Sequence, residues 1–262
     1  MQEIWDLVVY NFIACLIVFA RVSGIFTFNP ILGRANIPVR IRVSMAFVLT
    51  ITMLMSMGGV IGYIPDDVFG FAFVIVKEAA LGLVFGFMVN LIVTVIIFAG
   101  EMIDHKIGFM MAKQMDPLTG INMPVMANMN FYMFALYFFI TGGHLSYIRL
   151  FALSYDMVPI DFEFTIAWLG LSYNIVMYFS EIMTLAVKMA MPVLAALLIL
   201  ELCVGVIMKA VPTIHIFAMN IQLKILMGLF ILMAIAGPMS DYLDSLLSIM
   251  WENLFGALRL IG

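Results

Sequence analysis

The sequence predicts an all-α integral membrane protein, and three observations predict it. First, 65% of the 262 residues are apolar, only 11% are charged, and the mean hydropathy is +1.17. A soluble domain is nearer half apolar and one quarter charged. A soluble fold must wet its surface, and this chain has too little polar material to do so. Second, six apolar runs recur along the chain, at 4–20, 43–64, 79–99, 124–143, 166–200 and 216–237. A helix needs about 20 such residues to cross a hydrocarbon core. Third, ionisable residues sit in or beside these runs, at Lys77, Glu78, Glu181, Lys188, Glu201, Lys209 and Lys224. A charge in hydrocarbon is costly unless it meets a partner or water.

The elements follow in order. The first run is short and continues past Arg21 through Val22 to Phe28. The connection 21–42 then carries Arg21, Arg34, Arg40 and Arg42 with no acid. Asp66 and Asp67 separate the second and third runs. The connection 101–122 holds Lys106 and Lys113 against Glu101, Asp104 and Asp116. After the fourth run, 144–163 holds Asp156, Asp161 and Glu163 against Arg149. The fifth run is 35 residues, about 52 Å of helix at 1.5 Å per residue against a core of about 30 Å. It is therefore two segments, one helix bent near Pro192, or a helix partly outside lipid. Lys209 lies in 201–215, and the tail is acidic through Asp241, Asp244 and Glu252. Basic residues favour every second connection. The positive-inside rule places 21–42, 101–122 and 201–215 in the cytoplasm, with both termini outside.

The chain reads as a single polytopic membrane domain, 1–262, because no hydrophilic stretch is long enough for a second one. A net charge of −4 and a pI near 5.3 give no basic patch for nucleic acid. Cys15 and Cys203 lie in apolar runs and read as small hydrophobes. His105, His144 and His215 are far apart, and no HExxH, CxxC or phosphate-loop pattern occurs. No metal, cofactor or catalytic set is expected. His144 with Ser146 or Ser154 lacks an orienting acid and a nucleophile elbow. The N-terminal Met-Gln-Glu-Ile-Trp-Asp lacks the basic region of a cleaved signal, so the first run is expected to stay.

Three constellations remain. The arginines at 21, 34, 40 and 42 are a topology signal beside anionic lipid or a docking surface for another subunit. Arg21, inside an apolar stretch, most needs a protein partner. Glu181 and Lys188 share a helix face two turns apart, about 10 Å in rise. They form a buried register pair, part of an ion path, or contacts to another chain. A secondary transporter would use Glu181, Lys188, Glu201 and Lys209 as relay sites, but these charges are scattered singly. Finally, eight methionines fall between 102 and 133. Met126, Met129 and Met133, spaced by three and four, read as helix core. Met110, Met111 and Met115 lie with Lys106, Gly108, Lys113, Gln114, Asp116, Pro117 and Gly120, where Asp-Pro and Thr-Gly break a helix. Such a loop is a connector, or a deformable apolar seal that closes a pore by dewetting.

These residues resemble the FliR family, the flagellar type III export-gate component, whose injectisome counterpart is SctT. The resemblance rests on Arg21-x-x-Gly24, Pro30, Pro38, Arg40 and Arg42, then Gly100-Glu101, Gly108 and Asp116-Pro117-x-x-Gly120. It continues through Gly143-His144, Ser154 and Pro159 to Ala190-x-Pro192, Gly205, Lys209, Pro212 and Phe217. Lys209 stands where the family pattern leads one to expect Arg, and His215 where it leads one to expect a small polar amide. The resemblance implies bent helical hairpins, with a FliP-like part over about 1–165 and a FliQ-like hairpin over about 166–262. It implies a place beside FliP-like and FliQ-like subunits and FlhB-like and FlhA-like export components. The setting is the bacterial inner membrane at the centre of the flagellar basal body. Lys106, Phe109, Met110, Met111, Met115, Asp116 and Pro117 would then form a plug, and unfolded protein cargo would pass once it moves. Arg21, Arg40, Arg42, Glu181, Lys188, Glu201 and Lys209 would be subunit contacts or buried charges. No enzymatic role and no cofactor is implied.

Overall fold

The computed structural model describes residues 2–29, 37–56, 67–108, 124–160, 167–210, 216–235 and 237–261. Among them the secondary structure is helical throughout. The helices are α1 (Gln2–Phe28), α2 (Val39–Ser56), α3 (Val68–Ile107), α4 (Val125–Ile140), α5 (Gly143–Met157), α6 (Ala167–Ala210), α7 (Ile216–Ile235) and α8 (Met239–Ile261).

Local chemistry sets most boundaries. Asp67 caps α3, its carboxylate accepting from the Gly70 N–H at 2.9 Å. Gly108 ends α3 with φ +94°, a left-handed turn that glycine adopts without strain, and its N–H donates to Asp104 O. Prolines precede α2, α4 and α8 at Pro38, Pro124 and Pro238, where their carbonyls accept from the first turn. Pro192 is inside α6. It has no N–H to give the Lys188 carbonyl, yet the helix is continuous over its 44 residues. Of the three outcomes open for the fifth run, two separate segments is ruled out.

Four helices are long and apolar enough to cross a membrane among the described residues, or up to six when two broken pairs each count as one span. The runs expected from the sequence thus reappear as helices, several of them longer than expected: α2 takes in Arg40 and Arg42, and α3 takes in Lys77, Glu78, Glu101, Asp104 and Lys106. α1 extends to Phe28, the continuation past Arg21 that the sequence indicates, so Arg21, counted with the connection 21–42, lies inside the helix. α6 extends to Ala210, which likewise places Glu201 and Lys209 inside a helix. The segments expected as a connection at 144–163 and as an acidic tail contain α5 and α8. Both are amphipathic: α5 buries Tyr147, Leu150, Phe151, Ser154 and Tyr155, the spacing of one helix face.

The helices form two compact units, each drawn from several stretches of sequence. The first comprises 1–91, 141–178 and 250–262. In it, α1 and α3 meet backbone to backbone. A Cβ on Gly24 would lie 2.6 Å from Ala79 O, and one on Gly82 would collide with Arg21 O. Small residues at such crossings are what allow the approach. Ile17, Val18, Ile25, Leu81, Phe85 and Met88 fill the core on either side. α2 packs on α1, with Phe19 and Phe47 edge to face at 6.5 Å. The second unit comprises 92–140 and 179–249. Its core joins Ile103 and Ile107 of α3, Met126 of α4, and Ala190, Val193 and Leu197 of α6. Gly100 lets α3 approach the backbone of α4 at Ala127.

Candidate functional site

The first unit holds a fully buried charge centre. Arg21 is 1% exposed and Glu78 is 0% exposed. The Arg21 Nε and Nη2 both donate to the Glu78 carboxylate, a bidentate pairing, with Nη2 to Oε1 at 3.0 Å. The remaining donors go to the C-terminal end of α5. Nη1 donates to Ser154 O at 2.9 Å and to Ser154 Oγ at 3.2 Å, and Nη2 donates to Val158 O at 2.9 Å. A guanidinium has five N–H groups, and every one is used. Tyr155 lies under the guanidinium, 4.1 Å from carbon to ring centroid, and its hydroxyl donates to Val18 O. Next to Glu78, Lys77 donates to Ile160 O. The last carbonyls of a helix lack internal donors and carry its negative dipole end. In a bilayer they cannot fall back on water. Arg21 supplies charge and donors there, adding to the Val158 N–H on Ser154 O and reaching the C-cap carbonyl of Val158, Lys77 satisfies Ile160 just beyond the helix, and Glu78 balances the arginine. Arg21 thus finds its protein partner within its own chain.

The second unit holds the neck of the methionine-rich segment. Asp104, on α3 before that segment, accepts from the N–H groups of Met126 at 3.0 Å and Ala127 at 3.3 Å, on α4 just after it. A carboxylate at a helix N-terminus satisfies orphan donors and meets the positive dipole end. The end of α3 and the start of α4 are therefore held together by a single buried acid. Lys106 lies 3.6 Å from Glu201, which also pairs with Lys224. Glu201 thus ties α3, α6 and α7 together. Phe109, Met110, Met111, Met115, Asp116 and Pro117 lie outside the described residues. Asp104 did not stand out in the sequence: Met126 lies 22 positions further on, and nothing local links the two.

The other charges are placed differently. Arg40 and Arg42 lie in the first turn of α2, Arg40 exposed and Arg42 half-buried. Glu181 and Lys188 are both exposed, in the middle of the 38-residue apolar stretch of α6, most of which is not buried. Neither has a partner among the described residues. Lys209 is exposed in the last turn of the same helix. Glu181, Lys188, Glu201 and Lys209 therefore do not converge on a relay. His144 opens α5 and Ser154 sits near its end, ten residues on, about 15 Å along the axis. No nucleophile–base pair forms from them. Among the described residues no cluster of His, Cys, Asp or Glu could hold a metal ion.

The model of the family described as bacterial export proteins, family 1, matches residues 12–250. The flagellar biosynthetic protein FliR of Bacillus subtilis is 26% identical over 263 residues, covering 100% of this chain and 99% of that protein. The FliR of Escherichia coli is 26% identical over 246 residues, 92% of each chain. The surface presentation of antigens protein SpaR of Shigella flexneri is 27% identical over 218 residues, 82% of each chain.

Proposed function

The chain belongs to the bacterial export proteins, family 1, and from that premise we propose that it is a membrane subunit of the flagellar type III export gate. The family is one of export proteins and not of enzymes. In this reading the chain forms part of the conduit through which unfolded flagellar subunits leave the cytoplasm. It stands beside FliP-like and FliQ-like subunits, with FlhB-like and FlhA-like components, in the inner membrane at the centre of the basal body. The likeness to SpaR is the basis of an injectisome alternative. The flagellar assignment is preferred because the likeness to the Bacillus flagellar protein covers 100% of this chain, against 82% for SpaR.

One observation carries the reading: Glu181 and Lys188 are exposed halfway along an apolar helix. Facing lipid, each would cost several kcal/mol. Neighbouring chains or channel water remove that cost, and a multi-subunit conduit supplies both. Within it, Met110, Met111 and Met115 act as an apolar seal, held at its base by Asp104 and by Lys106 on Glu201. Deleting 108–115 is expected to make vesicles containing the assembled complex leak ions. Unchanged conductance, with the subunits still co-purifying, would remove the plug from the proposal and leave the assembly in place.

A further inference from the structure

The second unit contains a cavity of about 320 Å³, bounded by residues of α3, α4, α6, α7 and α8. Six methionines line it: Met126, Met129, Met133, Met189, Met233 and Met239. Thioether side chains are flexible and polarizable, so such a wall can reshape around its contents. One polar side chain lines the cavity, Asn130, which is 2% exposed. Its Nδ2 is buried and donates to nothing among the described residues. An amide donor left without an acceptor in apolar surroundings is costly.

A water molecule does not resolve this. Buried water needs two to four polar partners, and the described side chains of this wall offer one polar residue. An anion does not resolve it either, because no cation is among the described residues that line the cavity. The site asks for a neutral body with one hydrogen-bond acceptor. A dry apolar cavity of about 150 Å³ holds benzene, so this one has room for about a dozen heavy atoms. Leu229 and Met233 on its wall are also exposed, which gives a route in from the surface of the unit.

We propose that this cavity binds a neutral lipophilic molecule carrying one carbonyl or hydroxyl oxygen, with Asn130 Nδ2 donating to that oxygen and the methionines closing on the hydrocarbon. The proposal is independent of the export reading and requires only the membrane setting.

The test uses the full-length chain in lipid nanodiscs, alone and together with its co-purifying subunits. The probe is a long-chain ketone carrying a diazirine, cross-linked by light and mapped by mass spectrometry. Adducts should concentrate at 126–133 and 189–193. Unlabelled 2-decanone should compete about tenfold better than decane, the preference worth one satisfied donor. Asn130→Leu should erase that preference while retaining competition by decane. Met133→Trp should fill the cavity and suppress the adducts. If either variant fails to fold, the ketone-to-alkane ratio in the unaltered chain decides alone. Equal competition by ketone and alkane, adducts spread evenly over all helices, or loss of cavity labelling when the other subunits are present would each overturn the proposal.

Discussion

Arg21 and Lys188 are both cations well inside helices apolar enough to cross a bilayer, yet the protein treats them in opposite ways. Arg21 is buried in the first unit, spends all five donors and lies against an aromatic ring. Lys188, in the second unit, is exposed with Glu181 along a helix that continues past it. The difference lies in what each cation meets. Arg21 meets the end of a helix, where carbonyls need donors, and an acid on α3. Lys188 is offered neither. A membrane chain thus holds two kinds of charge: those that join its own helices, and those left for whatever packs against it.

Stability measurements on the isolated chain in detergent can break this comparison. The largest loss is expected for Arg21→Met, about 3–5 kcal/mol in denaturant unfolding, because it strands a buried carboxylate. Adding Glu78→Leu should recover part of that loss. It should not recover all, since the Val158 carbonyl loses the arginine's donor either way and the Ser154 carbonyl keeps only the Val158 N–H. Unaltered unfolding in Arg21→Met would end the distinction. Asp104→Ala should cost less, about 1–2 kcal/mol, the worth of a helix cap with its dipole interaction. Hydrogen exchange at the Met126 and Ala127 amides should rise in that variant. The smallest change is expected for Glu181→Gln with Lys188→Met, within about 0.5 kcal/mol of the parent, as for surface substitutions. The same pair should sharply reduce recovery of the other subunits in a pull-down. Full recovery would mean that these two charges serve no neighbour.

Much of the fold was legible because a bilayer sets the length of an apolar run. α5 and α8 escaped that reading. His144, Arg149 and Asp156 interrupt one, and Asp241, Asp244 and Glu252 the other. Their helical period was nevertheless present: Leu243, Leu246, Leu247, Met250, Leu254, Ala257 and Leu258 of α8 are all buried, at the spacings of a single helix face. The position of Arg21 showed that it needed a partner but not which one. Glu78 is 57 residues away, and nothing local links the two. The exposure of Glu181 and Lys188 was equally hidden, since seven-residue spacing fixes a shared face but not which way that face turns.

The pairing of Arg21 also constrains how the chain is made. Glu78 is 57 residues later and Ser154 is 133 residues later in sequence. At synthesis rates of about 5–20 residues per second, the ribosome delivers the last of these partners on the order of ten seconds after the arginine. Until Glu78 arrives the first helix carries a naked cation, and until Ser154 arrives the guanidinium is incompletely bonded. It therefore waits at the headgroup boundary or within the insertion machinery, and takes its final depth only when the later helices arrive.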